Sequence, residues 1–253
     1  MSIPIDLSHK VALVTGGSQG IGAQMVRTFH QAGANVIINH PGIGTTGSDA
    51  EALAAGLNAA RAESALALAA DVSDPDAVQR MMKGAKERFG GIDFLINNAA
   101  IIRDRTIAKM SFDEWKSVID VNLAGVFHCC KFGIEMMRDG GAVVSLGSIA
   151  AIQGFFGQAN YAAAKAGVQA MMRVLSREVA RRGIRANAIA PGVVETSMAA
   201  TIPEAVRAEM LKNIPLARFG STAEIANVAL FLCSPLASYV TGQTIEVNGG
   251  WRG

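Results

Sequence analysis

A tyrosine and a lysine lie four positions apart in residues 160–165, NYAAAK, with only alanines between them. Residues four apart share one face of a helix, so Lys165 is expected beside Tyr161. Free tyrosine has a pKa of about 10, and a nearby ammonium favours the phenolate and lowers that pKa. The alanines leave room for reacting molecules to approach. Tyr161 and Lys165 are therefore predicted to form a tuned proton donor and acceptor.

A serine precedes this pair. Ser148 ends the run GAVVSLGS, thirteen positions before Tyr161. Its hydroxyl could hold a substrate carbonyl and stabilise the negative charge that develops on the oxygen. Taken singly, Ser148 would be a loop serine, Tyr161 a half-buried helix residue and Lys165 a solvated one. Together the three indicate a site that binds and protonates a carbonyl.

A glycine-rich turn lies near the N-terminus, in residues 15–22, TGGSQGIG. Gly16 would allow a tight turn out of a strand, while Gly20 and Gly22 would let the backbone approach a phosphate. The N-terminus of the following helix offers free N–H groups and a favourable dipole. Because this turn stands between a strand and a helix, it predicts dinucleotide binding rather than a plain turn.

Apolar runs alternate with segments of helical periodicity along the whole chain. Asp74-Pro75 predicts a helix that runs to about Phe89. Capping boxes of the form S-x-x-E at residues 111–114 and 221–224 predict two more helix starts. The first of these helices is expected to continue to about Met137, and residues 161–182 are expected to form another helix.

This alternation predicts a parallel sheet covered on both sides. The fold class is α/β: a single doubly wound, Rossmann-type parallel seven-stranded sheet with helices on both faces. We expect one domain over residues 1–253. Ligands of such sheets bind beyond the carboxyl ends of the strands. The glycine-rich turn and Ser148 are therefore expected at the same edge.

Composition narrows the class of partner. The chain is 50% hydrophobic with a net charge of +2, and it has no basic run, so we expect no nucleic-acid partner. Its three cysteines lack metal-ligand spacing, so we expect no metal and interpret them as buried thiols of a reducing cytosol. The first ten residues lack the apolar core of a signal peptide. The longest uncharged run is a poor bilayer span. A soluble, cytoplasmic protein without a membrane partner is expected.

The glycine spacing G-x-x-x-G-x-G resembles that of the short-chain dehydrogenase/reductase family. NNAA at residues 97–100, Asp71-Val72 and Pro191-Gly192 also resemble family motifs. The resemblance implies a catalytic set of Asn122, Ser148, Tyr161 and Lys165. In that set Lys165 contacts the nicotinamide ribose and Asn122 holds a water chain. It implies these cofactor-binding residues: Gly16, Ser18, Gln19, Gly20, Ile21, Gly22, Asn39, His40, Asp71, Val72, Asn98, Ala99, Tyr161, Lys165, Pro191, Gly192, Val194 and Thr196.

The family resemblance also bears on the choice of cofactor. Family members that use NAD carry an aspartate at the end of the second strand, which here falls at Asn39 or His40. Neither residue would repel a 2′-phosphate, although Gln19 stands where an arginine often lies in NADP enzymes. Hydroxyls at residues 45, 46 and 48, with Ser18 and His40, could donate to a phosphate. NADP(H) is favoured, and NAD(H) stays open.

Several segments resemble 3-oxoacyl-[acyl-carrier-protein] reductases, among them residues 157–167 and 221–232. The resemblance implies reduction of a 3-oxoacyl thioester or a related ketone. Ser148, Phe155, Phe156 and Met198 are expected to contact that substrate. One alternative is an NAD-dependent secondary-alcohol dehydrogenase, and a remote one is a non-catalytic dinucleotide-binding sensor or scaffold. The family also implies a homotetramer, with Trp251 as an interface aromatic.

Overall fold

The sheet has seven parallel strands. The computed structural model describes residues 5–196 and 204–251. The strands lie in the order β3-β2-β1-β4-β5-β6-β7, and every neighbouring pair runs parallel. Their bounds are β1 Val11–Val14, β2 Asn35–His40, β3 Ala65–Ala69, β4 Ile92–Asn97, β5 Met137–Leu146, β6 Arg185–Pro191 and β7 Thr244–Val247. This order confirms the predicted doubly wound fold class.

The helices connect successive strands. Their bounds are α1 Gly20–Gln31, α2 Thr46–Ala60, α3 Pro75–Phe89, α4 Phe112–Ile119, α5 Gly125–Met136, α6 Ala150–Gln153, α7 Ala159–Glu178, α8 Glu204–Lys212 and α9 Thr222–Cys233. The cap predictions are confirmed. The Asp74 side chain accepts from Asp76 N, and both S-x-x-E segments form complete capping boxes. These starts depend on local hydrogen bonds, which is why sequence alone located them.

Two apolar clusters cover the two faces of the sheet. Strand β2 shows the division, because Ile38 packs in one cluster with helices α1 and α9, while Ile37 packs in the other with helices α3 and α5. Successive side chains of a strand point to opposite faces, so a strand buried on both faces must be apolar at nearly every position. Cys129, Cys130 and Cys233 are free and buried, as expected.

The long helix predicted to run from residue 111 to Met137 is interrupted. A π-helical turn, Asp120–Ala124, separates α4 from α5. Such turns insert one extra residue per turn and often occur at functional sites. The turn carries Asn122, which is fully buried. The sequence pattern missed it because both flanking segments have ordinary helical periodicity.

Residues Phe112–Met136 are also the one described helical stretch that is long and apolar enough to cross a membrane by length and composition. In the fold, however, this stretch packs against α3, α7 and strand β4. A core helix of a water-soluble domain passes the same length and composition test.

Candidate active site

The turn between β1 and α1 is built on glycines with little freedom to change. Gly16 and Gly20 adopt left-handed φ angles of +59° and +54°, which side chains rarely tolerate. A Cβ added to Gly22 would lie 2.1 Å from Gly16 O and 2.6 Å from Asn98 Nδ2. Gly22 is therefore required for helix α1 to pack against the turn.

The same turn forms a cradle for a phosphate. Ala23 N donates to Gln19 O, so Gln19 is the N-cap and the N–H groups before Ala23 face out of the helix. At Gly20 a Cβ would meet nothing closer than Thr196 Cγ2, at 3.9 Å. The open space and the free N–H groups fit the pyrophosphate of a dinucleotide. Ser18 and Ile21 flank this cradle on the same turn.

A hydrogen-bonded clamp joins the turn to the end of β4. Thr15 Oγ1 accepts from Asn98 N at 3.0 Å and from Ala99 N at 3.1 Å. In return, Asn98 Nδ2 donates to Thr15 O at 2.9 Å and to Gly16 O at 3.0 Å. Asn98 and Ala99 thus lie at the same edge as the glycines, as expected. The part played by Thr15 was not anticipated, because its partners are backbone groups distant in sequence.

The end of β2 places Asn39 and His40, both expected to bind the cofactor, in different surroundings. Asn39 is 1% exposed, and its amide supports the turn by accepting from Gly16 N and donating to Ala70 O. The His40 ring instead packs against the first turn of α2, 3.5 Å from the Cβ position of Gly47. His40 Nδ1 is buried and lacks a hydrogen-bond partner among the described residues.

Asp71 and Val72 follow β3 at the same edge of the sheet. The Asp71 carboxylate accepts from Ser73 N at 2.9 Å and from the Ser73 hydroxyl at 2.8 Å. Val72 is buried, and its carbonyl oxygen lies 3.0 Å from His128 Nδ1. These contacts fix the backbone of the segment whose Asp71 and Val72 are expected to bind the cofactor.

At the centre of the edge, the structure brings Tyr161, Lys165 and Ser148 together. Lys165 Nζ lies 5.6 Å from the centre of the Tyr161 ring and donates to Leu146 O at 2.7 Å. The Ser148 and Tyr161 side chains are joined by a hydrogen bond. Gln169 Nε2 donates to Ser148 O at 3.1 Å, which fixes the serine backbone. The predicted face-sharing of Tyr161 and Lys165 is confirmed.

The electrostatics of the pair differ from the expectation. Burial raises the pKa of Tyr161 to about 12, the hydrogen bond with Ser148 opposes that rise, and Asp104 adds to it. Burial lowers the pKa of Lys165 to about 8. The expectation that Lys165 lowers the pKa of Tyr161 is wrong for this structure, because the ammonium is directed at Leu146 O and desolvation dominates both groups.

Asn122 connects the π-helical turn to the loop after β4. Its Oδ1 accepts from Ile101 N and its Nδ2 donates to Ile101 O, both at 2.9 Å. This reciprocal pair holds the loop that follows Asn98 and Ala99. The Asn122 amide therefore connects the π-helical turn that follows α4 to the loop at the edge of the site.

The end of β6 completes the edge. Gly192 N donates to Val247 O, and a Cβ at Gly192 would lie 2.9 Å from Asn248 Cα. Pro191 is the last residue of β6, Val194 is buried, and Thr196 Oγ1 donates to Val194 O. Met198, expected to contact substrate, lies outside the described residues.

The two phenylalanines between Ser148 and Tyr161 have different surroundings. Phe156 is 90% exposed. Phe155 packs against Trp251, with ring centres 5.4 Å apart. Trp251 is only 6% exposed within the chain. The expectation that Trp251 serves as an interface aromatic is therefore wrong, because its ring is already covered by its own chain.

This arrangement defines a class of protein. A glycine turn at a helix N-terminus, beside a half-buried tyrosine, a buried lysine and a serine at the carboxyl edge of a doubly wound sheet, is the site of a dinucleotide-dependent oxidoreductase. A family model described as enoyl-(acyl carrier protein) reductase matches residues 16–252. The chain belongs to the short-chain dehydrogenase/reductase family.

Curated relatives and solved structures agree with this assignment. A 3-oxoacyl-[acyl-carrier-protein] reductase of Staphylococcus aureus is 44% identical over 95% of this chain and 97% of its own. The one of Vibrio cholerae is 38% identical over 97% and 98%. A short-chain dehydrogenase/reductase structure from Brucella melitensis has a TM-score of 0.93 at 37% identity, covering 99% of this chain and 100% of that one. A metagenomic blue fluorescent protein in complex with NADPH has a TM-score of 0.93 at 33% identity, covering 98% and 100%.

Proposed function

We propose that the chain reduces the ketone of a 3-oxoacyl thioester, with NADP(H) as the cofactor. The observation that carries the proposal is the contact of Tyr161 with Ser148 and Lys165 beside the glycine cradle. The high identity to 3-oxoacyl-[acyl-carrier-protein] reductases over nearly the whole chain supports the substrate class. The bound reduced nicotinamide supplies a hydride to the carbonyl carbon.

The residues of the chain supply the proton and hold the oxygen. Ser148 donates a hydrogen bond to the carbonyl oxygen, and Tyr161 transfers its phenolic proton to that oxygen as negative charge develops. Lys165 lies on the same helical face, where Leu146 O fixes its ammonium, and it is assigned the contact with the nicotinamide ribose that the family resemblance implies. Asn122 is assigned to hold the water chain that returns a proton to Tyr161. The glycine turn, with Ser18 and Ile21, holds the pyrophosphate.

The direction of reaction is inferred from the relatives, because proteins that are 38% and 44% identical to this chain are 3-oxoacyl-[acyl-carrier-protein] reductases. This similarity supports the reductase over an NAD-dependent secondary-alcohol dehydrogenase. The complete set of Asn122, Ser148, Tyr161 and Lys165 supports catalysis over a non-catalytic sensor or scaffold.

The end of β2 supports NADP(H) over NAD(H). The hydroxyls of Thr45, Thr46 and Ser48 are engaged with Asp49, Ile43 O and Thr45 O. His40 remains as the buried group with an unsatisfied ring nitrogen, and it lies against the N-terminal turn of α2. An imidazole and a helix N-terminus both suit a phosphate. Asp49, in the same turn of α2, carries a negative charge that would repel this phosphate.

The test is a set of titrations followed by turnover. We expect purified protein to bind NADPH more tightly than NADH and to reduce acetoacetyl-CoA faster than a simple aromatic ketone. Crotonyl-CoA, a thioester with a C=C bond and no ketone, tests for the enoyl reductase activity named by the family model and should not be reduced. A preference for NADH with turnover of the free ketone alone would contradict the proposal.

We also propose that the protein forms a homotetramer and that it is cytoplasmic. Large apolar side chains are exposed on the α4–α5 face (Phe112, Trp115 and Phe127) and near β7 (Leu236 and Tyr239). Such surface on two separate faces suits two kinds of isologous contact. The buried free thiols suit a reducing compartment. Analytical ultracentrifugation should give a tetramer, and Phe127→Asp, which places a charge on the α4–α5 face, should give dimers.

A further inference from the structure

A third apolar cluster, separate from the two clusters of the sheet, lies beside the site. Its buried members are Ile149, Ile214, Phe219 and Trp251, and its partly buried members are Phe155, Val193, Met210 and Leu211. They come from four segments: the loop after Ser148, the residues that follow β6, the region from α8 to Phe219, and the C-terminal residues. The pair Phe155 and Trp251, called the clasp below, joins the first of these segments to the last.

The loop that carries Phe155 is fixed by hydrogen bonds at its two ends. Near Ser148, Gly147 N donates to Ile189 O at 2.7 Å and Ile149 N donates to Pro191 O at 3.1 Å. At the far end, Arg105 N donates to Gly157 O at 2.8 Å. Between these ends, Gly154 and Gly157 hold left-handed φ angles of +69° and +82°. Phe155, between the two glycines, anchors the middle of the loop through its side chain.

The other half of the clasp is tied to the segment after α8. Leu216 N donates to Gly249 O at 3.2 Å, and Asn248 Nδ2 donates to Trp251 O at 3.1 Å. Gly250, at φ +86°, would place a Cβ 3.1 Å from Pro215 Cγ. The Trp251 backbone is therefore held independently of Phe155.

Helix α8 depends on the same cluster. It has no fully buried residue, and its Met210 and Leu211 pack against the cluster. An element with so few buried apolar contacts is weakly held by itself. The Trp251 side chain therefore belongs to the apolar cluster against which both the Phe155 loop and α8 pack.

We infer that Trp251 is a positioning residue for substrate: through Phe155 it fixes the loop between Ser148 and Tyr161, and through the cluster it fixes α8. The inference rests on the proposed function. Ser148 and Lys165 keep their own hydrogen bonds to Gln169 and Leu146 O without the clasp. Loss of the indole therefore loosens the walls of the substrate site and leaves the proton-transfer groups in place.

Steady-state kinetics with acetoacetyl-CoA and NADPH test this inference. Trp251→Ala should raise KM for the thioester on the order of tenfold, with kcat within about twofold of wild type and the Kd of NADPH unchanged. Trp251→Phe keeps an aromatic partner for Phe155 and should restore most of the loss. Phe29→Leu, in the main core beside Phe94, is the control for lost stability alone, and its KM should match wild type.

A readout without turnover keeps the test open if Trp251→Ala fails to fold. The chain has two tryptophans, so in Trp115→Phe protein the emission comes from Trp251 alone. Adding acetoacetyl-CoA to that protein with NADP⁺, which permits no reduction, should change the emission saturably. Hydrogen exchange of residues 150–157 should be faster in Trp251→Ala than in wild type, with residues 16–23 unchanged.

Distinct results overturn the two proposals. Suppose that wild type turns over acetoacetyl-CoA. If the KM of Trp251→Ala then equals that of wild type, or if its kcat falls as its KM rises and Trp251→Phe restores neither, the clasp does not position substrate. A Trp251 emission that does not change with the thioester leads to the same conclusion. If wild type has no turnover with any ketone, the proposed function fails instead, and exchange of residues 150–157 alone decides whether the clasp holds the loop.

Discussion

The cofactor side and the substrate side of this site are built in different ways. Around the glycine turn, Thr15, Asn39 and Asn98 lock the backbone with hydrogen bonds, and Gly22 leaves no room for a side chain. Around the substrate, the loop holding Phe155 is fixed by backbone bonds at its ends and by apolar contact in its middle. Directional bonds fix one geometry, whereas apolar contacts tolerate exchange of side chains. The cofactor side of the site is thus constrained to a single type of ligand, whereas the side chains on the substrate side can be exchanged.

The catalytic group at the boundary should give the largest effect. Tyr161→Phe removes the hydroxyl that donates the proton, so kcat should fall about 10³-fold, in the range expected for general acid catalysis. The Kd of NADPH should stay within about twofold, because the cofactor cradle is made by other residues. Stopped-flow NADPH oxidation and fluorescence titration measure the two quantities.

The chain supplies a matched control for that variant. Tyr239, the other tyrosine, is fully exposed in the turn before β7. Tyr239→Phe should leave kcat unchanged. Equal turnover by Tyr161→Phe and wild type would assign proton donation to another group.

A change in the glycine turn should break the cofactor side next. In Gly22→Ala the new methyl group would overlap Gly16 O, and relieving the overlap by moving the turn costs about 1–3 kcal/mol. The Kd of NADPH should therefore rise about 10- to 100-fold, as measured by isothermal titration calorimetry. Gly56→Ala on α2, where a Cβ meets nothing within 4 Å, should bind NADPH normally. Normal binding by Gly22→Ala would show that the turn is more plastic than described.

Lys165 links activity to stability with a defined pH dependence. Burial lowers its pKa from 10.5 to about 8, so between these values the unfolded chain binds more protons and folded stability rises with pH. Below pH 8 the buried ammonium costs about 3 kcal/mol. Lys165→Met removes that cost but leaves Leu146 O without its donor, which costs about 1–3 kcal/mol. The variant should be inactive yet at least as stable as wild type at pH 7.

Urea unfolding across a pH series checks that expectation. The stability of Lys165→Met relative to wild type should be greatest below pH 8 and should decline as pH rises toward 10.5. Lys109→Met, at an exposed position in the loop after β4, should show no such trend. A relative stability of Lys165→Met that does not vary with pH would mean that the ammonium is not desolvated.

The smallest effect should come from the end of β2. His40→Asp places a carboxylate beside the N-terminal turn of α2, where it would repel a 2′-phosphate and accept from a 2′-hydroxyl. The ratio of Kd for NADPH to Kd for NADH should rise about tenfold, equivalent to about 1.4 kcal/mol. His40→Gln, neutral and able to donate, should change the ratio less. An unchanged ratio in His40→Asp would place cofactor choice elsewhere.

The same contrast explains which features the sequence could predict. The doubly wound parallel sheet, the caps at Asp74, Ser111 and Ser221, and the approach of Ser148 to Tyr161 follow from local patterns and from the topology of parallel sheets. The π-helical turn was missed because its flanks have ordinary periodicity. The raised pKa of Tyr161 and the burial of Trp251 were missed because each depends on atoms distant in sequence, and desolvation is set by the assembled fold.

The most direct test of the central claim follows the hydride. Wild-type protein would be given acetoacetyl-CoA and NADPH deuterated at C4 in each of the two stereochemical positions, and the product analysed by mass spectrometry. We predict one deuterium at the carbinol carbon of 3-hydroxybutyryl-CoA from one of the two labelled forms, with Tyr161→Phe forming this product about 10³-fold more slowly. Label-free product from both forms, or no hydroxyacyl product, would contradict the account.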